Sequence, residues 1–227
     1  GKEMISFGFD KKNDYYAENV EEYKGAFTKF DVMYKGEKLG NVELSIPGIH
    51  NVLNALAAIA SAIYSGAKFE DCIKGLQEFK GAGRRFEDLG TYNGIDFIDD
   101  YAHHPAELKV TLEAAMKMGY NTVWAVFQPF TYSRTAMHFD EFVDVLKIPD
   151  RCVMTEIMGS REVNTYDIYT SQLADKIPNS VWFNTQEEVA DYVVKNAKAG
   201  DLVLTMGCGD IYKSAFMMIE RLKNGTV

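Results

Sequence analysis

DFIDDYAHHPAEL, Asp96 to Leu108, leads an apolar strand-like run into a helix-like run through two aspartates, a tyrosine and two adjacent histidines. Pro105 suits the first turn of that helix, where an N–H would be unsatisfied in any case. The stretch therefore reads as the carboxyl end of a strand opening into a helix, and the pattern recurs downstream. NTVWAVFQP, RCVMTEI, SVWFN and DLVLTMG are further short apolar runs. Helical spacing occupies Ala106 to Lys117, Ala136 to Leu146, Ile168 to Lys176, Glu187 to Lys198 and Ile211 to Leu222. Such alternation predicts an α/β fold with a mostly parallel sheet covered by helices. Ligands of such sheets lie beyond the carboxyl ends of the strands. Three polar clusters fall there: DDYAHHP, QPFTYSRT and MGCGD.

Upstream the texture differs. In AFTKFDVMYKGEKLGNVELSI, Thr28, Phe30, Val32 and Tyr34 share one face of a period-two pattern. After the Lys35-Gly36 turn signal, Val42, Leu44 and Ile46 alternate with Asn41, Glu43 and Ser45, which predicts a half-exposed antiparallel hairpin at a sheet edge. Pro47-Gly48 then introduces HNVLNALAAIASAIY, with Leu53, Leu56, Ala60 and Ile63 at helical spacing and Gly66 as the stop. FEDCIKGLQEFK reads as a second helix and GAGRRFE as a glycine-rich hinge, so the domain boundary is expected near Gly81 to Arg85.

Composition narrows the functional classes. The 227 residues are 47% hydrophobic and carry a net charge of −9, without a basic stripe, which argues against a nucleic acid polymer as partner. No run is long enough for a membrane span or a secretory segment. Cys72, Cys152 and Cys208 are far apart and form no C-x-x-C pair, which predicts reduced thiols in a cytoplasmic protein. The opening GKEMISFGFD reads as part of something longer.

Each cluster has a plain reading beside its chemical one. Asp99 or Asp100 with His103 and His104 makes a poor metal set, because adjacent histidines diverge and no zinc spacing supports them; the plain alternative is that Asp100 caps the following helix. The arginine pair of GRRFE suits phosphate or carboxylate, or covers surface. Asn51 and Asn54 read a base edge, or cap and face solvent. Arg134, after Gln128, Tyr132 and Ser133, holds a carboxylate or lays its stem on apolar surface. MGCGD makes a tight strand-to-helix turn more readily than a phosphate loop, since its G-x-G lacks the rest of a dinucleotide fingerprint.

Taken in order, GIHNVLNALAA, GRRFE, DDYAHHPAE, VFQPFTYSRT and GCGDIYK resemble the Mur ligases of peptidoglycan synthesis from about Pro47 onward. DDYAHHP is most similar to the branch that adds L-alanine and to its murein-recycling relative. The resemblance implies that residues 1–80 are the tail of a central ATP-binding domain and that residues 81–227 are a C-terminal Rossmann-like domain. It implies an ATP- and magnesium-dependent ligase that phosphorylates the carboxylate of UDP-N-acetylmuramate and lets the amine of L-alanine attack the acyl phosphate. It assigns His50, Asn51 and Asn54 to adenine, Arg85 to the terminal phosphate, Asp100 to the ribose hydroxyls, and Tyr101, His103 and Arg134 to the incoming amino acid, with Arg85 and His103 catalytic. No metal ligand is assigned on this chain.

Two departures stand out. The family's G-x-x-G-K-[ST] phosphate loop and its UDP-binding portion are absent from the sequence, so the chain alone is expected to be inactive and to bind nucleotide weakly or not at all. Phe130-Thr131 also replaces the His-Arg or His-Thr that often follows QP, removing one imidazole from the alanine contact. The rival expectations are a recycling ligase that attaches a tripeptide, a non-enzymatic α/β module holding a phosphate ligand at MGCGD, and a self-associating fragment with an exposed apolar face.

Overall fold

The computed structural model describes residues 4–23, 27–79 and 81–225. The chain divides into two compact units, Gly1–Gly81 and Ala82–Val227.

In the first unit, β1 (Phe7–Gly8), β2 (Tyr15–Tyr23), β3 (Phe27–Tyr34) and β4 (Glu37–Pro47) form a sheet in that spatial order. The hairpin lies where alternation puts it. β3 and β4 pair antiparallel with Phe30 opposite Val42, and Lys35 and Gly36 turn the chain at positive φ (48° and 91°). Phe30, Val32, Val42 and Leu44 pack against Val52, Ala55, Leu56, Ile59 and Ala60 of α1 (His50–Tyr64). The buried stripe includes Val52 and Ala55, while Leu53, expected on it, is only half-buried. Gly66 ends the helix at φ 97°, with its own N–H and that of Ala67 closing onto Ile63 and Ala62. α2 (Phe69–Glu78) buries no residue fully, and Phe69, Cys72, Ile73 and Leu76 pack partly against the same core.

The second unit holds six strands: β5 (Glu87–Tyr92), β6 (Ile95–Asp100), β7 (Val123–Phe127), β8 (Arg151–Thr155), β9 (Ser180–Phe183) and β10 (Leu202–Met206). Their spatial order is β5-β6-β10-β7-β8-β9, and every pairing is parallel except β5 with β6. The five predicted strands are β6 to β10. β5 was missed: it pairs antiparallel with β6 across an Asn93-Gly94 turn (φ 52° and 78°), a hairpin signal that the sequence reading did not use.

β7 and β10 are buried along their whole length, as strands covered on both faces must be. One face is covered by α3 (Pro105–Met116), α5 (Phe139–Val145) and α6 (Thr170–Ala174), through Leu108, Leu112, Phe142 and Leu173. The other is covered by α7 (Gln186–Asn196) and α8 (Tyr212–Asn224), through Val189, Val193, Met218 and Ile219. Burying each such Leu, Ile or Phe contributes about 2 kcal/mol. The helix expected over Ala136 to Leu146 is two helices, α4 (Tyr132–Met137) and α5, broken at His138. The one expected over Ile168 to Lys176 shortens to α6, after a long loop from β8.

The order of strands positions the polar clusters. β10, last in sequence, inserts between β6 and β7, so Asp100, Met206 and Phe127 are neighbours in register. DDYAHHP, MGCGD and QPFTYSRT therefore leave the sheet side by side, at the point where strand order reverses. Among the described residues no helix is long and apolar enough to cross a membrane.

Candidate functional site

Asp99 and Asp100 end β6 almost fully buried, at 2% and 5% exposure. Asp99 is committed inward: it accepts from the Thr205 hydroxyl (2.6 Å) and from Nε of Arg84 (2.8 Å). Asp100 accepts the Ala102 N–H on Oδ1 (2.8 Å) and the Phe86 N–H on Oδ2 (2.7 Å). Burial raises its carboxyl above the ordinary range; the two N–H bonds and nearby Arg85 only partly offset this. Asp100 does not cap α3. His104 does, accepting the Ala106 N–H on Nδ1 (3.3 Å), with Pro105 in the first turn as expected.

The two arginines of GRRFE part company. Arg84 turns in: besides Asp99 it donates to the carbonyls of Gly207 (2.6 Å) and Gly209 (3.0 Å), between the rings of Tyr101 and Tyr212. Arg85 turns out. Its neighbours Arg84 and Phe86 both take positive φ (57° and 52°), and their N–H groups are held by Glu87 and Asp100. Its exposed guanidinium lies 5.6 Å from the Tyr101 ring centre, with no side-chain hydrogen bond among the described residues. Tyr101 also meets the His103 ring edge-on at 5.5 Å, and His103 Nδ1 lies 3.0 Å from the Tyr101 carbonyl oxygen and 3.3 Å from Glu107.

MGCGD is a turn whose carbonyls serve Arg84. Gly207 sits at φ 145°, donating its N–H to the Asp100 carbonyl (3.1 Å). Gly209 leaves no room for a Cβ beside Gln128 and Met158, and the N–H of Asp210 reaches Oε1 of buried Gln128 (3.2 Å).

Beyond β7 the chain pairs with the β8–α6 loop. Phe130 bridges to Met158, and the Thr131 N–H donates to the Met158 carbonyl (2.9 Å). Arg134 follows on α4, its guanidinium 6.0 Å from the Phe130 ring centre and its Nη1 buried with no hydrogen-bond partner. Burial pushes the Cys208 thiol up, while Arg134 and, less strongly, Arg84 pull it down. Both guanidinium groups thus face the MGCGD turn.

Within the second unit, then, Arg85, Asp100, Tyr101 and His103 gather at the end of β6, and Arg134 approaches the same strand ends from β7. His50, Asn51 and Asn54 lie in the first unit, in the opening turns of α1. Nδ2 of Asn51 donates to the Pro47 carbonyl (2.7 Å), and Nδ2 of exposed Asn54 donates to Oδ1 of Asn51 (2.9 Å). Asn51 therefore fastens the helix start without capping it; the cap position is Ile49. Two residues that shape the site had no assigned role in the sequence: Arg84, indistinguishable there from Arg85, and Glu162, which holds Ser133 from 29 positions away.

Residues 84–209 match the Mur ligase glutamate ligase domain, and residues 1–62 match the Mur ligase middle domain. The chain belongs to the Mur ligase family. Similar family members include the UDP-N-acetylmuramate–L-alanine ligases of Acetivibrio thermocellus, 41% identical over 96% of this chain and 47% of the relative, and of Lachnospira eligens, 43% identical over 93% and 47%. The solved Mur ligase of Thermotoga maritima, a UDP-N-acetylmuramate–alanine ligase, superposes with a TM-score of 0.82 at 27% identity, over 98% of this chain and 48% of its own. A murein peptide ligase of Psychrobacter arcticus gives 0.66 at 26% identity, over 96% and 46%. The chain spans about half the length of the curated relatives it matches.

Proposed function

We propose that this chain supplies the amino-acid-binding half of an ATP-dependent cytoplasmic ligase that joins L-alanine to UDP-N-acetylmuramate in peptidoglycan precursor synthesis. The observation that carries the reading is the 41% identity, over 96% of the chain, to a ligase of that name. In this reading residues 1–80 are the end of a central ATP-binding domain and residues 81–227 the C-terminal domain. His50, Asn51 and Asn54 meet adenine, Asp100 offers its remaining lone pairs to the ribose hydroxyls, and Tyr101 and His103 line the amino-acid site.

Charge placement supports two of the roles. Arg85 is an exposed fork held by the backbone on both sides, suited to a phosphoryl oxygen, and Arg134 has a buried nitrogen in need of an acceptor, suited to a carboxylate. ATP would supply the phosphoryl group that activates the muramoyl carboxylate. This chain's part is to hold the amine donor in line and neutralise charge. Among the described residues no three carboxylate, imidazole or thiol groups converge to hold a metal.

The test is a phosphate-release assay on the chain joined behind the preceding half of the Acetivibrio thermocellus ligase. Alanine-dependent release, with a KM for alanine raised at least tenfold by Arg134→Ala, is the expected outcome. Release with a murein tripeptide but not with alanine would favour the recycling reaction, and the 227-residue chain alone should release none.

A further inference from the structure

Thr131 occupies φ 65° and ψ 142°, a region that a β-branched residue enters only when its surroundings hold it there. The grip comes from one loop, between β8 and α6. The Met158 carbonyl accepts the Thr131 N–H (2.9 Å), and the Met158 N–H donates to the Pro129 carbonyl (2.9 Å). Four residues on, Glu162 accepts the Ser133 N–H on Oε2 (2.8 Å) and the Ser133 hydroxyl on Oε1 (2.5 Å). Both of its oxygens are thus spent on the residue beside Arg134. The Thr131 hydroxyl lies 3.4 Å from the Arg134 N–H and 3.4 Å from the Ser133 hydroxyl, so Thr131, Ser133 and Glu162 form one continuous support under the first turn of α4. The bonds to Ser133 also hold the Glu162 carboxyl below its ordinary range, so the ionised form makes the grip.

We propose that Glu162 is a positioning residue for Arg134: through Ser133 and Thr131 it holds the start of α4 in a strained backbone that aims the guanidinium, one nitrogen still unpaired, at the carboxylate of the amino-acid substrate. The inference rests on Arg134 as the carboxylate-binding group. Glu162 itself touches no substrate. It acts by removing conformational freedom from the residue that does, which lowers the cost of ordering the site when substrate arrives. Ser133, in turn, matters for its N–H and hydroxyl as a pair, since together they occupy both carboxylate oxygens.

The test uses the 227-residue chain labelled with 15N, comparing parent, Glu162→Gln and Glu162→Ala. Thermal midpoint, amide exchange, the pH dependence of the Ser133 amide resonance and an L-alanine titration are read on each. Expected for Glu162→Ala are a midpoint within a few degrees of the parent, exchange at Ser133 and Arg134 at least tenfold faster, and exchange in β6, β7 and β10 unchanged. Glu162→Gln, which keeps one acceptor, should fall between. In the parent the Ser133 resonance should titrate below the ordinary 4.5 of a glutamate, and both variants should lose that step. Where L-alanine shifts the Arg134 resonances, Glu162→Ala should weaken the titration about tenfold. Parent-like exchange at Ser133 would overturn the proposal, and so would a general rise in exchange across the unit. Arg134→Ala separates this from the carboxylate reading: an L-alanine titration indifferent to it removes that reading, while exchange and pH titration at Ser133 still judge the Glu162 support.

Discussion

Arg84 shows how one side chain fixes where another points. Its guanidinium satisfies buried Asp99 and two carbonyls of the β10–α8 turn, which holds the segment before β5 against two strand ends and leaves Arg85 facing outward. Removing it strands a carboxylate that is 2% exposed and orphans two carbonyls. Arg84→Ala is expected to cost about 3 kcal/mol in urea denaturation. Arg84→Lys should fall between, because an ammonium keeps the charge and loses the fork; a loss within experimental error for Arg84→Ala would contradict this account. Asp100 gives a pH signature. Its folded carboxyl is raised by burial, so its contribution is fully present below the unfolded value near 3.8 and fades as pH rises through the raised folded value. Asp100→Asn should flatten that limb of a stability-against-pH curve. The arginine pair was legible in the sequence. Which member turned inward was not, because the choice depends on Asp99 and on two glycine carbonyls more than a hundred residues away.

Among the elements, the turn between β10 and α8 is set by backbone geometry, and its sequence reading as a tight turn agrees with the carbonyls it points at Arg84. Gly207 stands at φ 145°, where a Cβ would lie 3.0 Å from the Gln128 carbonyl oxygen and 3.2 Å from Ile211. Gly207→Ala should therefore destabilise the chain by about 2 kcal/mol, since strain and a backbone contact act together. Gly36→Ala is the control: it shares a positive φ (91°) but meets nothing within 4 Å, so it should cost less. Comparing their thermal midpoints checks both. Period-two and helical spacing revealed most elements, since each depends on neighbours in sequence. β5 escaped because EDLGTY has few apolar residues and is half-exposed, and the break at His138 escaped because helical spacing runs through it.

For the molecule as a whole, alternation in the sequence announced a parallel sheet, while the insertion of β10 between β6 and β7 is a long-range pairing that no local pattern encodes. That insertion brings three separate polar segments to one edge, and it bears on nucleotide affinity. Most of the recognisable charge of ATP is on its phosphates, which proteins usually meet with a nest of backbone N–H groups at a helix start. This sequence has no G-x-x-G-K-[ST] loop, and in its glycine-rich β10–α8 turn the Gly207 N–H is taken by the Asp100 carbonyl and the Asp210 N–H by Gln128. The exposed fork of Arg85 offers a phosphate a single charged contact in water. Contacts of that order support a dissociation constant of about 1 mM or weaker. Calorimetric titration of the chain with ATP should therefore give no saturable heat in the micromolar range, with Arg85→Ala indistinguishable from the parent there. Micromolar binding that survives Arg85→Ala and disappears with Gly209→Ala would instead make the β10–α8 turn a phosphate site and the chain a free-standing nucleotide-binding module.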